Sequence, residues 1–137
     1  MKEIKFKVNN IEWTIEIVEY NDENLKMEEN DYRMSVTHYN EAKIYVQKEV
    51  FDSDESLIRT ILMHEITHAY ELSYGMLQVF WDNEIVADFI GVHGKSILET
   101  YYEIMGKIMA EENKKKYETG SWDWLVDKIE NHIPRID

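Results

Sequence analysis

The chain has 137 residues, a formal charge of −13 and no cysteine. That length suits a single domain over residues 1–137, and the absence of cysteine excludes a disulfide framework and any thiolate metal site. The acidity excludes a face built to neutralise phosphates, so no nucleic-acid partner is expected.

Hydrophobic residues make up 44% of the chain, with 4 Trp, 9 Tyr and 4 Phe, enough for one packed core. No stretch approaches the ~18 uncharged apolar residues of a membrane span. The opening Met1-Lys2-Glu3-Ile4-Lys5 alternates charged and apolar residues, unlike a secretory signal. The expectation is a cytoplasmic protein with no membrane partner.

In chain order, Ile4–Val8 and Trp13–Val18 alternate apolar and polar residues around Asn9-Asn10, which predicts a hairpin. Residues 21–31 are rich in Asn, Asp and Glu and read as an exposed loop. Arg33–Thr37 and Lys43–Val46 form a second strand pair, joined through His38-Tyr39-Asn40-Glu41. From Leu57 to Leu72 the apolar period becomes helical, with cap candidates at Asp52-Ser53-Asp54-Glu55 and a stop at Gly75. A second helix is expected from Asp82, with Gly91 and Gly94 breaking or kinking it before the pattern resumes at Ile97. A last short helix follows Ser121, its apolar side formed by Trp122, Leu125, Val126 and Ile129. Lys114-Lys115-Lys116, preceded by Glu111 and Glu112, reads as a solvated helix face. Strands first and helices after define an α+β domain.

The chemistry centres on His64-Glu65-Ile66-Thr67-His68. On a helix, residues four apart share a face, so two imidazoles so placed can converge on one zinc ion at ~2.0–2.1 Å. Glu65 lies beside them as the general base that takes a proton from water at the metal. Five residues are a short pattern, but this one falls within the strongest helical periodicity of the chain, where the mechanism needs it. A catalytic zinc usually has three protein ligands. Asn83-Glu84-Ile85-Val86-Ala87-Asp88 supplies the third: Glu84 lies sixteen residues after His68, enough for a turn and a new helix. Asp88, one turn beyond, is placed to accept the free N–H of a zinc-bound imidazole and fix its tautomer. His93 is the competing third ligand. His38 and His132 read as non-ligands, with a substrate contact open to His38. Trp81, Trp122 and Trp124 read as core or interface packing. An oxyanion donor is needed as well, and nine tyrosines leave that choice open.

These residues carry a resemblance. A histidine-motif helix, a short link and a helix opening with Asn-Glu-x-x-Ala-Asp look like the gluzincin metallopeptidases. The compact size is closer to the minimal zincins of phages and mobile elements, the ImmA/IrrE-type peptidases. Their Glu-x-x-Ala-(Asn/Asp)-Phe helix is matched by Glu84, Ala87, Asp88 and Phe89, and the resemblance is specific over residues 57–90. It implies a zincin-like fold: a small N-terminal antiparallel or mixed sheet, then an active-site helix, a glutamate helix and C-terminal helices. It also implies zinc held by His64, His68 and Glu84, with Glu65 as base and Asp88 in support. Finally, it implies that the strand ending in Lys43–Val46 is the sheet edge above the metal, where an extended peptide or protein substrate would add as a strand. The expected function is zinc-dependent hydrolysis of peptide bonds. The alternative is a catalytically silent zincin-fold module with a binding or regulatory role.

Overall fold

The structure is a computed structural model, and it describes residues 2–118. Over the described residues the chain folds as an α+β protein, strands first and two α-helices after. Strands β1 (Lys2–Val8) and β2 (Ile11–Val18) form the expected antiparallel hairpin. Asn9 and Asn10 both take positive φ, 48° and 66°, which a two-residue hairpin turn demands and asparagine tolerates. Ile4, Phe6 and Val8 alternate onto the buried face opposite Trp13 and Ile15.

The polar segment at 21–31 holds more structure than its composition suggests. A single 3-10 turn at Glu23–Leu25 leads into a small ribbon, β3 (Lys26–Glu28) and β4 (Asp31–Tyr32). Its anchor is Leu25, fully buried against Val18 and Tyr45. One leucine among polar neighbours makes no periodic pattern, so the sequence carried no strand signal here.

Strands β5 (Ser35–His38) and β6 (Lys43–Gln47) complete a four-stranded sheet in the order β1-β2-β6-β5. The β2–β6 pair is parallel and the others antiparallel. β6 is therefore an interior strand, and the edge lies at β5, which corrects the placement of the edge at Lys43–Val46. The run Ile44-Tyr45-Val46 is buried on both faces, the mark of a strand covered from both sides.

Helix α1 spans Glu55–Ser73, and the Asp54 carboxylate caps it by accepting from the Leu57 amide. It stops where expected. Gly75 takes φ +71°, its N–H bonds the Leu72 carbonyl, and the Met76 N–H bonds the Glu71 carbonyl, a Schellman closure. Ile58, Leu62, Ile66 and Ala69 bury one face of α1 in the same core as Ile4, Trp13, Ile15 and Ile44. At its far end the Trp13 indole N–H donates to Ser73 Oγ at 2.9 Å, and Asn9 donates to the Ser73 carbonyl. These bonds fix how α1 lies on the hairpin.

Helix α2 runs unbroken from Asn83 to Glu118, 36 residues, with Asp82 capping the Ile85 amide. Gly91 and Gly94 do not interrupt it, contrary to expectation. Each glycine costs about 1 kcal/mol in a helix interior. Burial of Phe89, Ile97, Tyr101 and Ile104 outweighs that, at roughly 1.5–3 kcal/mol per large apolar side chain. The helix expected after Ser121, with Trp122, Trp124 and His132, lies outside the described residues. Among the described residues no helix is long and apolar enough to cross a membrane.

Candidate metal centre

Helical spacing delivers His64 and His68 to one face of α1, as the sequence requires. Their Nε2 atoms lie 3.2 Å apart, with the rings at nearly a right angle. Two nitrogens bound tetrahedrally to one zinc at ~2.0–2.1 Å would stand about 3.3–3.4 Å apart, so the pair is already at chelating distance. His64, Glu65 and His68 offer ligand atoms within 4.8 Å of one another, a group that could hold a metal ion.

The hydrogen bonding fits the same use. His68 Nδ1 lies 2.8 Å from Glu71 Oε1; a carboxylate accepts, so Nδ1–H donates and Nε2 is the nitrogen turned towards His64. Glu71 thus makes the contact expected of Asp88. It lies one turn beyond His68 on the same helix, at an (i, i+3) spacing the sequence displays.

Glu84 and Asp88 open helix α2. Both are exposed on the first turns of α2, and neither belongs to the His64–Glu65–His68 group. Asp88 lines a separate, mostly apolar cleft with Met76, Val79, Ile85, Phe89, Val92 and His93, just past the end of α1. The first turns of α2 thus lie against the segment that follows α1. His93 is held among the rings of Tyr70, Tyr74 and Phe89 and is no part of the group either. His38 ends β5, with Nε2 3.0 Å from the Asn24 carbonyl. Trp81 packs edge-on against Phe89, in keeping with a packing role.

Glu65 is 3% exposed, and both of its oxygens are engaged. Ser35 Oγ donates to Oε2 at 2.8 Å and Thr37 Oγ1 donates to Oε1 at 3.0 Å. A buried carboxylate without donors would cost several kcal/mol, and these two hydroxyls offset that. They come from alternate residues of β5 and so share one face of the strand.

A cleft of about 260 Å³ opens over the group, lined by Met27, Arg33, Ser35, Val36, Thr37, Tyr39, His64, Glu65 and His68. The Tyr39 ring stands edge-on to His68 at 5.9 Å. Burial, then the negative charges of Glu71 and Glu65, push the Tyr39 hydroxyl above its usual pKa, so it stays protonated. Among nine tyrosines the sequence could not single it out, because it reaches the cleft only through the turn between β5 and β6.

The fold and site thus define an α+β protein with a histidine pair and a buried glutamate able to hold a metal ion beneath an open sheet edge. No protein-family model, curated protein or solved structure matches the chain.

Proposed function

We propose that this protein is a zinc-dependent metallopeptidase. The observation that carries the reading is the pair of Nε2 atoms 3.2 Å apart beside a buried glutamate. His64 and His68 would hold the ion, and bound zinc supplies Lewis acidity and lowers the pKa of water towards ~7. Glu65 takes a proton from the attacking water as its oxygen bonds the peptide carbonyl carbon. It then hands that proton to the amine nitrogen as the C–N bond breaks. Tyr39, protonated and lining the same cleft, would donate to the developing oxyanion.

The sheet edge supports a peptide as the substrate. Gln47 N–H bonds the Met34 carbonyl at 2.8 Å, and β5 pairs with β6 in the register Ser35↔Val46. Antiparallel pairs alternate, so Val36 and His38 turn their backbone groups towards β6 and Ser35 and Thr37 turn theirs outward. No strand pairs with the outer side of β5 among the described residues, which leaves room for an extended chain.

One observation favours the second reading, a metal-binding module without turnover: both Glu65 oxygens already serve to join α1 to β5. Zinc loading and cleavage separate the two. The peptidase reading expects about one zinc per chain, lost in His64→Ala and His68→Ala and retained in Glu65→Gln. It also expects cleavage of a quenched-fluorescent peptide library that Glu65→Gln abolishes. Protein purified with zinc present but carrying none overturns both readings. Zinc without cleavage selects the module.

A further inference from the structure

Glu65 departs from the usual picture of a general base that hangs free in a cleft. Its carboxylate has about four lone-pair sites. Ser35 occupies one on Oε2 and Thr37 one on Oε1. Two donors, one on each oxygen, fix the plane of the group as well as its position, and Glu65 also lines the cleft over the histidines.

The donors are themselves set by strand register. Ser35 and Thr37 face α1, and Val36 between them turns the other way to pack on Val18, Leu25 and Tyr45. A slip of one residue would present Val36 and His38 to Glu65 and remove both hydroxyls. Ser35 and Thr37 also turn their backbone N–H and C=O groups to the open edge. One short strand therefore aims the base with its side chains and offers its main chain to an extended ligand.

We propose that Ser35 and Thr37 are positioning residues that aim the Glu65 carboxylate at the water it deprotonates, so that a peptide pairing with β5 bonds to the residues that hold the base. This rests on the peptidase reading above. A purely structural role for the two hydroxyls would lower stability and leave turnover alone. A positioning role lowers kcat, because a misplaced reacting group costs up to ~100-fold.

The test uses the zinc-loaded full chain and a peptide from the quenched-fluorescent library. In Ser35→Ala and in Thr37→Val, kcat is expected to fall ~10–100-fold while zinc stoichiometry holds and KM changes far less. Thr37→Ser, which restores the hydroxyl, is expected to recover most of the kcat lost in Thr37→Val. A second readout needs no turnover. In the metal-free protein, the Glu65 carboxylate band in the infrared difference between wild type and Glu65→Gln is expected to shift in both variants and return in Thr37→Ser. Unchanged kcat with an unmoved band overturns the proposal and leaves the peptidase reading standing, provided Glu65→Gln is inactive. Loss of kcat in Thr37→Val that Thr37→Ser does not recover also overturns it. A wild-type protein that binds zinc and cuts nothing removes the peptidase reading and this proposal together. Should one substitution prevent folding, the other single variant still decides.

Discussion

Replacing Glu71 is the sharpest probe of how the histidine pair is prepared for a metal. Its carboxylate accepts from His68 Nδ1 at 2.8 Å, and the pair is only partly exposed, 32% for the histidine side chain and 17% for the glutamate. Glu71→Gln keeps the volume and an acceptor oxygen but loses the charge. Hydrogen bonds to charged groups contribute about 1.5–3 kcal/mol and neutral ones about 0.5–1.5, so the substitution forfeits roughly 1–1.5 kcal/mol of imidazole orientation and basicity. That is about tenfold in zinc affinity. Glu71→Ala removes the acceptor altogether and belongs at the upper end of the ~10–100-fold range for groups that orient a metal-bound histidine. The measurement is a competition titration against a chromophoric chelator at neutral pH, with a thermal melt of each metal-free variant as the folding control. Asp88→Asn and Glu84→Gln, whose side chains lie outside the group, are expected to stay within about twofold of wild type. Wild-type affinity in Glu71→Ala would refute the reasoning. So would a hundredfold loss in Glu84→Gln, which would return that residue to the metal.

Ser73→Ala leaves the indole N–H of the fully buried Trp13 without an acceptor and is expected to cost ~1–3 kcal/mol in urea unfolding; a loss under ~0.5 kcal/mol would show that the bond contributes little. At alkaline pH the tyrosines dominate. Burial, then the hydrogen bond and charge of Glu41, push Tyr45 up from 10.0 to about 12. The unfolded chain therefore releases that proton first, and the contribution to stability is intact below about pH 10 and lost as pH rises towards 12. Tyr101, raised by burial and by Glu55, acts in the same direction. The urea midpoint should fall through this window, and it should fall less steeply in Tyr45→Phe.

Where chemistry depends on spacing along one element, the sequence alone was sufficient. The hairpin turn at Asn9-Asn10, the cap at Asp54, the stop at Gly75 and the shared face of His64 and His68 follow from local backbone geometry. Glu71 belongs to the same logic, one turn beyond His68 on the same helix face, although many acids of this chain share such a spacing with a neighbour. What crosses between elements was decided by tertiary structure. Which strand forms the edge depends on the parallel β2–β6 pairing, a long-range choice that places β6 inside and β5 outside. Whether α2 continues through Gly91 and Gly94 depends on how much apolar surface its length buries, and the cleft that Asp88 lines forms only where α2 meets the segment after α1. The two hydroxyls on Glu65 sit about thirty residues before it in the chain and are set opposite it only by the register of β5 on β6. A helix face is fixed by 3.6 residues per turn, whereas the partner of a buried carboxylate is fixed by packing of the whole sheet.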